Sequence, residues 1–292
     1  MQSRKPLVAP LTVDTKVRLK SKYDMPILGF GVYQTPMAIA EQVTDHAIKS
    51  GYRHVDSAVA YKNEEPTAKG MLKSGIPREQ LFFTSKVAPG RGYDDAKKGI
   101  DETLRKTGLD YIDLYLLHAP YGGRETRIGG WRALVEAVNE GKVRSIGVSN
   151  YGVHHLEELE RWQKEQPADQ AGILSVNQIE LHPWLARPDI VSWCRQRDIV
   201  LEAYSPLIRA TRMEEEVLIK LAGKHGKTPG QILLRWGIQQ GFVILPKSVT
   251  LSRIEENAAI FDFELDEQDL EVLETGQYKP CTWDPTIEPL EA

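Results

Sequence analysis

Four residues with complementary proton chemistry stand at related positions: Asp56 and Tyr61 in "YRHVDSAVAYKNE", Lys86 in "LFFTSKV" and His118 in "YIDLYLLHAP". A lone aspartate or tyrosine is an ordinary loop residue, so the case rests on what each could do for the others. A free phenol titrates at about 10 and is a poor acid at neutral pH, but a neighbouring ammonium stabilises its phenolate. Lys86 can supply that charge, Asp56 can hold Lys86 charged, and His118 can donate a hydrogen bond that orients a substrate oxygen. Such a set suits hydride transfer to a carbonyl, where an alkoxide develops and needs one proton and several donors. Hydrolytic chemistry finds no support, since neither a GxSxG elbow nor an HExxH helix occurs.

These residues need elements that bring them together. Eight short apolar runs recur, each followed by a polar or catalytically competent residue: "PILGFG", "RHVDS", "LFFTSKV", "YIDLYLLHAP", "VRSIGVSN", "ILSVNQIE", "IVLEAYSP" and "FVILPKS". Stretches with helical spacing separate them, among them "AIAEQVTDHAIKS", "YDDAKKGIDETLRKTG", "GGWRALVEAVNEG" and "VHHLEELERWQKE". From Asp56 through Lys86, His118, Asn150 and Gln178 to Tyr204 the intervals are 30, 32, 32, 28 and 26 positions, the length of one strand, one helix and two loops. Eight such units close into a (β/α)8 TIM barrel whose strand ends converge on one mouth. The interval from Tyr204 to Lys247 lengthens to 43 because "MEEEVLIKLAGKHG" and "TPGQILLRWGIQQG" each read as a helix. Ahead of the first strand, "PLTVDTKVRLKS" alternates about Asp14 and Thr15 and predicts a β-hairpin capping the barrel floor. The tail from Gly276 is polar, with Trp283 as its largest ring. No composition shift divides residues 1–292, which read as one domain of this α/β class.

With 37 basic against 41 acidic residues the net charge is -4, so no global basic field points to nucleic acid. No apolar stretch is long enough to span a bilayer, and charges and prolines interrupt "KPLVAPLTVDTKVRLKS" before a signal-peptide core forms. Two cysteines, Cys194 within a helical pattern and Cys281 near the end, suggest neither a disulfide framework nor a cysteine zinc site. In "HHLEE", His154 and Glu158 stand at i, i+4, which reads as a solvated helix face rather than a metal site. The expectation is a soluble cytoplasmic monomer or weak dimer that acts on a small carbonyl compound, with no metal, nucleic acid or membrane partner.

Hydride needs a donor. "GFGVYQ" begins as G-x-G but has Gln34 where a dinucleotide fingerprint needs its third glycine, so a dinucleotide must be held differently. After the last strand, "PKSVTLSRIEEN" offers Lys247, Ser248, Arg253, Glu256 and Asn257; alone, this run is a phosphate grip or simply a charged helix start.

Taken in order, "GYRHVDSAVAYKNE", "LFFTSKV", "YIDLYLLHAP", "GKVRSIGVSNY", "VNQIELHPWL", "EAYSPL" and "ILPKSVTLSRIEEN" give the chain a resemblance to the aldo-keto reductase superfamily over nearly its whole length. The resemblance implies a (β/α)8 barrel, NADPH bound without a Rossmann fold, and an alcohol:NADP+ oxidoreductase with the tetrad Asp56, Tyr61, Lys86 and His118. Tyr61 resembles the general acid, tuned by Lys86 and Asp56. Ser149, Asn150 and Gln178 match positions that bind the nicotinamide carboxamide, Tyr204 the ring that stacks on it, and Ser205 and Leu207 positions along the pyrophosphate. Lys247, Ser248 and Arg253 resemble 2'-phosphate contacts, and Glu256 and Asn257 adenine contacts. Tyr33 and Ala119 stand where many members carry Trp; with Tyr121 and Trp283 they are candidate substrate-pocket residues. The segments "YGGRETRIGGW" and "IRATRMEE" are short, which predicts an open mouth. Some proteins of this likeness sense the cofactor without turnover, and the intact tetrad argues against that alternative here.

Overall fold

Residues 10–291 are described by the computed structural model. Two short antiparallel strands come first, β1 (Lys16–Arg18) and β2 (Asp24–Pro26), paired Lys16 to Pro26 and Arg18 to Asp24. The predicted hairpin is therefore present, but its reversal lies between Leu19 and Tyr23 and not at Asp14–Thr15. Around Asp14 the chain makes only a local turn, Thr15 N donating to Thr12 O at 3.0 Å. The Thr15 hydroxyl accepts from Thr12 N at 2.8 Å, so the alternation there serves a side-chain-locked turn and no ladder.

Eight parallel strands follow. They are β3 (Gly29–Gly31), β4 (His54–Asp56), β5 (Phe82–Val87), β6 (Ile112–Leu117), β7 (Val143–Ser149), β8 (Leu174–Glu180), β9 (Val200–Tyr204) and β10 (Val243–Leu245), neighbours in space in chain order. The ring closes where Leu28 bridges Ile244 in parallel, Ile244 N donates to Ile27 O at 2.9 Å, and Gly31 N donates to Pro246 O at 3.0 Å. Strands covered by helices outside and packed inside must be apolar almost throughout, and the runs picked out above are buried along nearly their full length. Polar side chains stand at the strand ends, on the inner face, and at a few outward positions with partners outside the barrel, such as Ser85 Oγ, which donates to Glu64 Oε1 at 2.5 Å.

The outer layer comprises α1 (Met37–Lys49), α2 (Glu64–Lys73), α3 (Tyr93–Thr107), α4 (Gly123–Asn139), α5 (Val153–Lys164), α6 (Ala168–Ala171), α7 (Pro188–Arg195), α8 (Glu216–His225), α9 (Pro229–Gln239), α10 (Leu251–Ala258) and α11 (Glu267–Val272). Most of "YGGRETRIGGW" is thus helix and not loop, and the connection from β6 is shorter than its sequence suggests. Its glycines allow close approach: a Cβ on Gly130 would stand 2.9 Å from Leu117 Cδ2 and 3.2 Å from Arg91 O. Among the described residues no helix is long and apolar enough to cross a membrane.

At the N-terminal end, Leu19 and Met25 of the hairpin pack with Phe82, Leu114, Leu116, Val176 and Val243 in a cluster separate from the main core. The floor side of the barrel interior is thus an apolar layer.

Candidate active site

Asp56 ends β4 and Lys86 is the fifth residue of β5, so the two strands carry them to the same end of the barrel. Lys86 is fully buried, and its ammonium donates to Asp56 Oδ1 and Oδ2, both at 2.7 Å, and to Ser57 O at 2.8 Å. A buried ammonium needs all three of its donors satisfied, and this one has them. Directly after Asp56 the chain turns through a short 3-10 segment, Val59–Tyr61, stopped by Lys62 in the left-handed region at φ 59°. Asn63 fixes that turn: it accepts from Ser57 Oγ at 3.1 Å and donates to Val32 O at 2.9 Å and Thr35 O at 3.1 Å. Tyr61 is thereby held against the loop after β3.

The Tyr61 ring lies 5.6 Å from the His118 ring and 5.1 Å from Tyr33, with Lys86 Nζ 5.1 Å from its centroid. Burial, then the charge of Asp56, pushes the phenol well above its ordinary value. The ammonium is tied to Asp56 and Ser57, and the phenol is held firmly protonated. Burial, aided by the charge of Lys86, lowers His118 to about 3, so its imidazole is neutral and can act as a one-proton donor.

Asp56, Tyr61 and His118 border a cavity of about 1120 Å³. All eleven residues read as cofactor contacts border it too: Ser149, Asn150, Gln178, Tyr204, Ser205, Leu207, Lys247, Ser248, Arg253, Glu256 and Asn257. Asn150, left-handed at φ 62°, donates to His118 O at 3.0 Å and accepts from the Tyr204 hydroxyl at 2.8 Å, which links three strand ends. Ser149 Oγ donates to Gln178 O at 2.9 Å. Glu256 accepts from Thr228 Oγ1 at 2.7 Å.

Several residues of the site escaped the sequence reading. Arg209 reaches across the mouth to Gln34 Oε1 at 3.0 Å, so the short segment after Leu207 does span the opening at one point. Burial and the charge of Arg209 both lower Lys247, which marks a gathering of cations on that wall. Glu202, inside β9, accepts from Gln178 Nε2 at 2.6 Å; a charged residue within an otherwise apolar strand run was the signal available in "IVLEAYSP".

The tail carries the remaining wall. Arg187 donates to Tyr278 OH at 3.0 Å, Thr286 Oγ1 at 2.7 Å and Asp284 Oδ1 at 2.8 Å, and Arg127 donates to Leu290 O at 2.7 Å. Glu180 accepts from His182 Nε2 at 2.8 Å, from Cys281 N at 2.6 Å and from the Thr282 hydroxyl, so its carboxylate also anchors the tail. The "HHLEE" stretch belongs to the same fastening and is not a solvated face. His154 Nε2 donates to Glu288 O at 2.6 Å, His155 is buried, and Glu158 is buried against Arg127 with Oε2 at 2.8 Å from Nε.

Held this way, Trp283 stands 6.1 Å from the His118 ring and 5.7 Å from Tyr121. Tyr33 and Trp283 border the cavity. Ala119 and Tyr121 do not: they line a small cleft separated from it by His118, because the α4 start draws the chain after β6 away from the mouth. Tyr121 touches the site only as backing for Trp283.

The model of the Aldo/keto reductase family matches residues 28–275. The chain is 41% identical over 267 residues to glyoxal reductase of Bacillus subtilis (strain 168), covering 91% of this chain and 94% of that protein. It is 38% identical over 278 residues to methylglyoxal reductase DkgA of Escherichia coli (strain K12), covering 93% and 97%. A crystal structure of an aldo-keto reductase enzyme from a Medee basin deep-sea metagenome library superposes with a TM-score of 0.84 at 38% identity, covering 90% and 95% of the two chains. A closed parallel barrel with a buried Asp–Lys pair at its mouth and a sequence match along its strands lead to one conclusion: the chain belongs to the aldo/keto reductase family, and it is an oxidoreductase of carbonyl compounds.

Proposed function

We propose that the protein reduces small aldehydes, α-oxoaldehydes foremost, to alcohols with NADPH, and that Tyr61 is the proton donor. The observation that carries this reading is the convergence on one cavity of Tyr61, neutral His118 and the Asp56–Lys86 pair with a wall of cations from Lys247, Arg209 and Arg253. A cavity of about 1120 Å³ exceeds the usual range for small ligands, roughly 300–1,000 Å³, and suits a dinucleotide together with a small substrate. The glyoxal and methylglyoxal reductases among the relatives favour the α-oxoaldehyde class.

When bound, the nicotinamide supplies the hydride. The chain supplies the rest. His118 donates its N–H to the carbonyl oxygen and fixes it beside Tyr61. As charge develops on that oxygen, the Tyr61 hydroxyl transfers its proton to it. The raised pKa of the phenol is no obstacle: an alkoxide, about as strong a base as hydroxide, holds a proton far more tightly than a phenolate does. The phenolate left behind faces Lys86, whose charge favours it more than any solvent in that buried place. The Asp56–Ser57 grip keeps Lys86 there through the cycle. Lys247, Ser248 and Arg253 hold the 2'-phosphate, with Arg209 adding its charge to theirs.

The test is oxidation of NADPH and of NADH by the purified protein with glyoxal, methylglyoxal, a simple aldehyde and a ketone. Turnover with NADPH and an α-oxoaldehyde is expected. No turnover of either cofactor across that panel would overturn the reading.

A further inference from the structure

Asp56 is not the only carboxyl in the barrel interior. Glu202 on β9 is fully buried, and its register partner on β8 is Gln178. A single nitrogen joins the two acids: Gln178 Nε2 donates to Asp56 Oδ2 at 2.9 Å and to Glu202 Oε2 at 2.6 Å. A primary amide has two N–H groups, and both are now committed. The flipped amide is disfavoured, since it would set its oxygen 2.9 Å from the ionised Asp56 carboxylate, which has no proton to donate. The carbonyl oxygen of Gln178 is therefore the end left for the cavity that the residue borders.

Charge balance adds a second constraint. The groups facing Glu202 are His54 and Asp56 from β4 and Lys86 from β5; β8 contributes the neutral Gln178, and β10 carries no titratable residue. Lys86 provides one positive charge, and Asp56 takes it at 2.7 Å on both oxygens. His54 and His118 are neutral, each lowered to about 3 chiefly by burial. A second ionised carboxylate would have no counter-charge in a water-excluded space. Glu202 Oε1 has no hydrogen-bond partner and lies 3.5 Å from His54 Nε2, so nothing there stabilises a negative charge on that oxygen. Burial and the charge of Asp56 push this carboxyl up to about 8.

We infer that Glu202 is a positioning residue for the reaction: as a buried neutral acid it locks Gln178 with its oxygen toward the cofactor and keeps the field at Tyr61 from turning more negative. The inference rests on the nicotinamide-dependent reduction proposed above. Its consequence has a definite sign. A charge on Glu202 raises the Tyr61 phenol further, so the donor weakens when Glu202 ionises. Carbonyl reduction should decline as pH climbs through about 8, while Tyr61, well above its ordinary value, contributes no limb there.

Two variants separate orientation from charge. Glu202→Gln offers Gln178 an acceptor but no proton to lose. Glu202→Leu offers neither. Infrared difference spectra of the ligand-free protein between pH 6.5 and 9.5 (about one and a half units either side of the transition) should show the loss of one protonated-carboxyl band, absent in Glu202→Gln. The kcat for reduction should have an alkaline limb in the parent that Glu202→Gln lacks. Fluorescence titration should find NADPH affinity within about threefold of the parent for Glu202→Gln and weakened on the order of tenfold for Glu202→Leu, with NADH weakened equally because the nicotinamide end is shared. A parent spectrum lacking that band, or an unchanged limb in Glu202→Gln, overturns the proposal, as does parent-like cofactor affinity in Glu202→Leu. The infrared and binding arms need no turnover, so a protein that reduces nothing would defeat the proposed function and leave this test standing. If Glu202→Leu fails to fold, the band and limb in parent and Glu202→Gln decide.

Discussion

The two ends of the barrel are closed by opposite means. At the floor, Leu19 and Met25 of the hairpin complete an apolar layer with side chains from β5, β6, β8 and β10. Toward the mouth, β4, β5, β8 and β9 deliver Asp56, Lys86, Gln178 and Glu202 into a layer of buried polar and charged groups. The floor gains free energy from area removed from water and needs no particular geometry beyond good packing. The mouth stays buried only because each charge has its partner, so its energetics are all-or-none. Variants of each end should therefore fail differently: a floor variant in stability alone, a mouth variant in chemistry and, where it orphans a charge, in stability as well.

The hardest test is Lys86→Met. It leaves Asp56 buried with only Gln178 as a side-chain donor. Breaking a buried pair from one side costs about 3–5 kcal/mol, and the phenolate on Tyr61 loses its stabilising charge. Reduction should fall on the order of a hundredfold or more, with a lower urea midpoint. A folded, fully active Met variant would remove Lys86 from the mechanism and erase the contrast between the two ends. Tyr61→Phe keeps the ring contacts with Tyr33 and His118 and removes only the proton. It should lose about a hundredfold or more of kcat while binding NADPH and melting like the parent; activity within a few-fold of the parent would transfer the donor role to His118 or water.

Met25→Ala probes the other end. Met25 is fully buried, and truncating such a side chain costs about 2–5 kcal/mol. The melting temperature should drop while kcat, measured well below it, stays as in the parent, because Met25 packs in the floor cluster and does not border the cavity. A fall in kcat in that folded variant would show that the two ends are coupled.

The same division explains what could be read from the sequence. Strands buried on both faces leave continuous apolar runs, and the polar residue ending each run marks the mouth; Asp56, His118, Asn150 and Tyr204 were visible in this way. Glu202 was hidden because it lies inside its run, two positions before Tyr204, where an inward charge looks like an interruption until its partners are seen. The start of α4 was hidden by Gly122 and Gly123, at φ 87° and 73°, which usually signal a loop; farther along, Gly129 and Gly130, already within the predicted helix, let it approach Tyr93 and Leu117, with Tyr93 N only 3.1 Å from where a Gly129 Cβ would stand. That helix is also why Ala119 and Tyr121 miss the cavity. His154 and Glu158 looked like a solvated face because their partners are remote in sequence: Glu288 O in the tail for His154, and Arg127, itself tied to Leu290 O, for Glu158, which no local pattern could announce.

The smallest effect sharpens the picture within the mouth itself. Lys247 is half-buried and lowered first by burial and then by Arg209, so its ammonium is partly stripped of water and lies in a positive field. An anion there relieves both costs, and one charge-assisted hydrogen bond contributes about 1.5–3 kcal/mol. Unlike Lys86, this cation has neighbours of the same sign that remain when it is removed: Arg209, and the exposed Arg253 on the first turn of α10. Lys247→Ala should accordingly weaken NADPH by about tenfold and not more, leave NADH within about twofold, and preserve stability, since no buried charge is orphaned. Because the wall opens to solvent, the difference between the cofactors should shrink as salt is raised, whereas the effects of Lys86→Met should not. Titration of both cofactors by quenching of tryptophan fluorescence at low and high salt reads all of this. Equal weakening of NADPH and NADH would mean that Lys247 grips the shared part of the dinucleotide, and the assignment of this wall to the 2'-phosphate would fall.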